Sequence, residues 1–279
     1  MGRQQARQVE VELAPVNYTP GLTPGVEGQL EGIDAALGAS GIAHINALVP
    51  SNAGDADHDI AFGVGAAIAS NDGQFLDFSA PLTKQIDAVW AAGPGAGGLF
   101  SGATLSADTT YHLFIIRKTS DGSLDAGFDD NISATNIPAG YSSFKRIGSV
   151  NTDVSSNIKP FTALETAGGG LCVAWDNPDL DVDDASSNSN ETRTLNVPTG
   201  IIVLATMNIF ARRQHYLSPL SADAEAASET AAPLGNIGSN SFNQSSIPTN
   251  TSGQIRSDAL TLGGVLRIST TFYTDWRRD

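Results

Sequence analysis

A mainly β protein, a β-sandwich or jelly roll preceded by an extended N-terminal arm and a short helix, is what this sequence predicts. Three observations carry the prediction. Residues 111–118 (YHLFIIRK) are aromatic and β-branched, without Gly or Pro, as a strand requires. Residues 264–276 alternate, with Val265, Arg267, Ser269, Thr271 and Tyr273 on one face and Leu266, Ile268, Thr270 and Phe272 on the other. Elsewhere Gly, Ser, Thr, Asn and Asp cut the chain into short apolar runs, and helix-favouring stretches are sparse.

The strand at 111–118 sits inside a longer block, residues 82–150. Its alternation sets Tyr111, Leu113, Ile115 and Arg117 against His112, Phe114, Ile116 and Lys118, so both faces are apolar until the tip. A strand of that kind is covered on both sides. Asp121-Gly122 then supplies a turn that tolerates positive φ, and residues 123–128 return as the partner strand.

In chain order, residues 1–16 are polar and end in an alternating VEVEL. Pro20 and Pro24 keep the next stretch extended. Val26, Leu30, Ile33 and Leu37 then follow at spacings of four, three and four, one apolar stripe on a short helix that Gly38 stops. With Gly28 and Gly32 inside it, this helix is marginal alone and needs a surface to lie on. A strand is expected at 42–49, a polar loop at 50–59, a tightly packed strand at 61–70, and a turn at Asn71-Asp72-Gly73 before a return strand at 74–78.

The Gly-rich stretch 91–98 lacks the Lys-Ser/Thr and GxGxxG contexts of phosphate-binding loops and reads as a linker. Polar residues 151–170 lead to the strand LCVAW. Residues 192–197 and 200–210 read as strands, the second as a central core strand, and 221–253 as a long loop or a locally helical excursion. The domain reading is an arm at 1–40 and a β domain at 41–279, with a subdivision near 151–170.

The chain has 279 residues and a net charge of −15, which argues against binding a phosphate backbone. Its single cysteine, Cys172, excludes an intrachain disulfide framework and reads as a buried, inert thiol. The N-terminus lacks a secretory signal's apolar core, and no apolar run is long enough to span a bilayer. The expected site of synthesis is a cytoplasm.

No catalytic set assembles. The four histidines occur singly, with no paired ligand spacing, and neither GxSxG nor HExxH is present. Asp179, Asp181 and Asp183 match the first half of a calcium loop, but Asp184 stands where Gly is needed and Asn190 where Glu is needed. On a strand that spacing points the three carboxylates outward and Leu180 and Val182 inward, a charged edge that discourages stray pairing. Tyr111, Tyr141, Phe144, Tyr216, Phe242, Tyr273 and Trp276 would stack on sugars if exposed, but strand aromatics are more often core. No cofactor, metal or enzymatic activity is expected.

The NYTP segment followed by GIDAALG resembles the N-terminal region of structural proteins of tailed bacteriophages. The block at 82–150, with VWAAGPGAGGL, TYHLFIIRK and IPAGYSSFKRIGSV, is similar to a cassette of phage tail-fibre and virion proteins, and SGQIRSDALTLGGVLRISTTFYTDWRRD resembles their closing segment. This resemblance implies a virion protein, a tail-fibre or appendage component docked through its N-terminus, with Tyr18, Val26, Leu30, Ile33 and Leu37 as attachment residues. Its implied partners are other virion proteins, sister chains in a homotrimer, and a host surface glycan, with no nucleic acid and no membrane insertion. A head-decoration, collar or adaptor protein is the alternative within virions. A glycan-cleaving or glycan-binding surface domain is the alternative of another class, against which the absence of a long regular repeat counts.

Overall fold

Twenty strands and no helix make up residues 45–100, 104–187, 190–220, 235–260 and 263–277, the residues that the computed structural model describes. The expected arm and helix, with Tyr18, Val26, Leu30, Ile33 and Leu37, lie outside them. The first ten strands are β1 (Ile45–Ala47), β2 (Pro50–Asn52), β3 (Asp59–Phe62), β4 (Gly65–Ile68), β5 (Phe75–Phe78), β6 (Leu82–Val89), β7 (Ala96–Leu99), β8 (Thr110–Lys118), β9 (Leu124–Asp129) and β10 (Tyr141–Asn151). They form a three-stranded sheet, β1-β4-β5, and a seven-stranded sheet, β10-β8-β9-β7-β6-β3-β2.

β8 behaves as its sequence predicts. Tyr111, Leu113 and Ile115 enter the main core with Phe62, Leu76 and Phe78. On the opposite face Phe114 and Ile116 build a second core with Phe100 and Ala134, flanked by Trp90, Ile137, Tyr141 and Phe144. The Asp121-Gly122 turn forms, with Gly122 at φ +74°, and β9 returns antiparallel to β8.

Two expectations in this half are corrected. The Gly-rich stretch 91–98 is not merely a linker: it contains β7, inserted parallel to both β6 and β9. Glycine is needed there for close approach, since a Cβ on Gly97 would lie 2.1 Å from the Val89 carbonyl oxygen and one on Gly98 2.6 Å from the Phe128 ring. Residues 61–70 are not one strand but parts of two. The chain leaves the large sheet after Phe62 and enters the small one at Gly65, where a Cβ would meet the Asn46 carbonyl oxygen at 2.3 Å. The 50–59 stretch likewise begins with a strand, β2, rather than remaining loop throughout.

The other ten strands are β11 (Phe161–Glu165), β12 (Leu171–Trp175), β13 (Val182–Ser187), β14 (Glu191–Thr194), β15 (Leu204–Ala211), β16 (His215–Pro219), β17 (Gly235–Ile237), β18 (Ser241–Pro248), β19 (Gln254–Ala259) and β20 (Gly264–Asp275). A six-stranded sheet runs β11-β12-β20-β15-β18, with β13 also paired to β20, over a four-stranded sheet, β14-β19-β16-β17. Val203, Ala205, Met207, Ile209, Leu266 and Ile268 join Leu217, Ile237 and Ile255 in a core continuous with that of the first half.

The region 221–253 contains β17 and β18 rather than only loop or helix; β18 pairs along its whole length with β15. As an edge strand it buries only Ser245 and Ile247, so its apolar signal is diluted. In β20 the predicted alternation slips one residue. Thr206 pairs with Phe272 but Met207 with Thr270, leaving Thr271 as a bulge, and Tyr273 rather than Phe272 turns into the core.

Candidate functional site

Four places concentrate polar or aromatic chemistry. The first is the junction of the two halves, across which side chains rather than strand pairs do the joining. Arg146, on β10, forms two hydrogen bonds to Asp275 at the end of β20, at 2.7 and 2.9 Å, with both side chains about 2–3% exposed. Arg146 also donates to the Ser149 hydroxyl, which meets His112 Nδ1 at 2.8 Å, while the Tyr273 hydroxyl donates to the Ser149 carbonyl. Burial, with Asp275 nearby, pushes the Tyr273 phenol well above its ordinary range. Arg277 completes the junction by donating to the carbonyls of Ala47, Leu48 and Gly169. Burial lowers its guanidinium somewhat, while Glu165 and Asp275 act in the opposite sense. Ser149 and His112 are buried, so this chain of contacts is a fastening between sheets rather than a nucleophile open to substrate.

The second place is a cleft of about 250 Å³ over the outer face of β8 and β10, lined by Ser70, Asn71, Phe114, Ile132, Ser133, Phe144 and Arg146. The turn at 70–72 forms its rim by capping the free edge of β10. Ser70 N–H donates to the Phe144 carbonyl, and Asn71 exchanges bonds with Ser142 and Phe144. Asp129 holds the opposite wall, accepting from the backbones of Asn131 and Asn136 and from the Asn136 amide. Asp130 beside it has its carboxyl raised by burial and by the Asp129 carboxylate. The cleft's amides and guanidinium are thus committed to the fold. A comparable buried cluster lies across the sheet, where Lys84 pairs with Asp125 at 2.8 Å, donates to the Ala91 carbonyl and sits 5.2 Å from the Trp90 ring centre.

The third place is the acidic run on and before β13. Its carboxylates do not converge. Asp179 pairs with Lys159, Asp183 with Arg267, and Asp181 accepts from the backbone and hydroxyl of Thr270. The expected outward row is therefore corrected at two positions: Asp181 turns inward, its carboxyl raised by burial against the opposing Thr270 bonds, and Leu180 is exposed. Beside it an open hollow of about 400 Å³ lies between β13 and β14, where Arg193 bridges Asp184 and Glu191. Among the described residues no group of three or more His, Cys, Asp or Glu is placed to hold a metal.

The fourth is the outer face of the six-stranded sheet. Of the aromatics singled out in the sequence, Tyr111, Tyr216 and Tyr273 are buried and Tyr141 and Phe144 half-buried. Phe242, by contrast, is 82% exposed and Trp276 40%. Phe242 stands on β18 with its ring centre 4.8 Å from that of Phe210. Cys172 lies on β12 of the same sheet and is half-buried rather than buried as expected; burial raises its thiol, a Thr274 bond notwithstanding.

No protein-family model and no curated protein matches this chain. What the arrangement can do chemically must be read from the four places themselves. Three of them spend their polar groups on holding the fold. The junction pair Arg146–Asp275 escaped the sequence reading because its partners stand 129 residues apart. The sheet face is hidden in the sequence because β18, an edge strand with few buried residues, has the composition of a polar loop.

Proposed function

We propose that this chain is a structural component of a tailed-bacteriophage particle, a tail-fibre or appendage protein that works by binding. Its N-terminal segment docks on the particle, and its β region projects toward a neighbouring subunit or the host surface. The observation that carries the reading is the resemblance of residues 17–40, 82–150 and 252–279 to segments of such proteins.

The physical character of the cassette supports it. Residues 82–150 supply five strands of the seven-stranded sheet and residues of both of its cores, and two of their buried charges sit in ion pairs: Lys84 with Asp125, Arg146 with Asp275. Such a block suits a rigid element that must keep its shape while its ends make contacts.

The test is genetic and compositional. Mass spectrometry of purified particles should find the chain in stoichiometric amount. Deletion of residues 1–40 should remove it from particles while the purified remainder keeps a β-type circular dichroism spectrum. Particles that retain the truncated chain would refute docking through the N-terminus. Absence of the full-length chain from particles would refute the virion role itself.

A further inference from the structure

We infer that the outer face of the six-stranded sheet around Phe242 binds a neutral glycan. The cross-strand register sets Asp183, Arg267, Phe210 and Phe242 in one row over four strands. Ser269, Asn208 and Gln244 form the next row. Rows on a sheet face repeat at about 6.8 Å and strands at about 4.8 Å, a grid on the scale of adjoining sugar rings.

What separates this face from the cleft is unspent hydrogen-bonding capacity. Gln244 Nε2 donates to Asn208 Oδ1 at 3.4 Å, which leaves the Asn208 amide N–H groups and Gln244 Oε1 open among the described residues. Arg267 uses Nε on Asp183, at 2.8 Å, so among the described residues its two terminal nitrogens and the second Asp183 oxygen are open, both side chains being about half exposed. The exposed Phe242 ring, propped by Phe210, offers a flat apolar surface beside these donors and acceptors.

The chemistry of the occupant follows. A protein partner that dried this face would strand open amide and guanidinium groups at a cost in free energy, and interface centres are depleted of charge. A sugar presents C–H groups to the ring and hydroxyls that both donate and accept, so it matches every open group. The charges on the face cancel, while the whole chain carries −15, which repels acidic polymers. A neutral glycan fits both facts.

The inference takes its biological setting from the appendage reading but is tested on the purified full chain, so either can fail without the other. The probes are the neutral polymers dextran, galactomannan, mannan and mixed-linkage β-glucan, with hyaluronate and polygalacturonate as acidic controls, in affinity electrophoresis. Retardation by at least one neutral polymer and by neither acidic one is expected. Phe242→Ala and the pair Asn208→Ala/Gln244→Ala should each weaken it about tenfold with thermal unfolding unchanged. No retardation by any neutral polymer, or retardation that the variants leave intact, would overturn the inference. So would a wild-type oligomer in sedimentation that Phe242→Ala dissociates, because the face would then be covered by a second copy.

Discussion

The two large sheets of this protein differ in how many of their faces are covered. The seven-stranded sheet has a core on each side: the sandwich interior, and the smaller cluster of Phe100, Phe114, Ile116 and Ala134. The six-stranded sheet has the sandwich interior on one side and, around Phe242, water on the other. β8 accordingly buries seven successive residues, whereas β18 buries two of eight. The first sheet is specialised for rigidity. The second keeps a flat face on which side chains answer to solvent or ligand rather than to packing.

The comparison is tested most severely at the junction, because the difference matters only if the halves form one body. Arg146→Ala leaves the Asp275 carboxylate buried without its partner and should cost about 3–5 kcal/mol in denaturant unfolding. Probes in either half should report the same shift. Arg146→Met with Asp275→Leu, which removes both charges together, should recover much of the loss. A shift confined to one half would mean that the shared core does not couple them.

Next in size is the covered face of the first sheet. Phe114→Ala opens the second core, where Phe114 packs between Phe100 and Phe144 with ring centres at 6.2 and 5.9 Å. Loss of about 3–5 kcal/mol is expected for a buried Phe. A loss near that of a surface substitution would show the outer cluster to be loosely held, and would erase the contrast between the sheets.

How far the sequence disclosed this contrast depends on the element. β8, β9 and the β4–β5 turn were legible because burial on both faces and a Gly or Asn-Asp-Gly turn leave unambiguous local patterns. β20 was legible as a strand, but the bulge at Thr271 that reverses its last faces has no local signature. β7 was hidden because its glycines answer to close backbone neighbours rather than to flexibility. β18 was hidden because an edge strand with an exposed face reads as polar loop. The pairing of Arg146 with Asp275 could not be read at all, since composition says which charges exist and only the fold says which meet. The same holds for the candidate glycan face, whose residues come from four strands spread along the second half of the chain.

A smaller, pH-dependent effect is expected at the margin of the open sheet. Asp181 is half-buried against Thr270, and the partial burial raises its carboxyl above the ordinary 3.8. The ionised form therefore costs stability above the raised folded value, and that cost disappears as pH falls below the unfolded one. Asp181→Asn keeps an acceptor for the Thr270 N–H and removes the charge. It should equal or exceed the wild type at pH 7 by on the order of 1 kcal/mol, with the gain vanishing toward pH 3. Thermal unfolding followed at both pH values checks the sign. A gain that grew on acidification would mean that the carboxylate is stabilised by its bonds more than it is penalised by burial.

The smallest expected change is at Phe242. Its ring is 82% exposed and leans on Phe210, so truncation to Ala removes little buried area and should shift stability by about 0.5 kcal/mol or less. Set against the loss at Phe114, this near-silence is the sharpest statement of the comparison: two phenylalanines on outer sheet faces, one built into a core and one left out. A loss of several kcal/mol at Phe242 would mean that something covers the ring in solution. A melting temperature that rises with protein concentration would then identify another copy as the cover, since association stabilises by mass action. Silence in stability joined to loss of polymer retardation leaves binding as the reason an aromatic ring stands exposed beside the amides of Asn208 and Gln244.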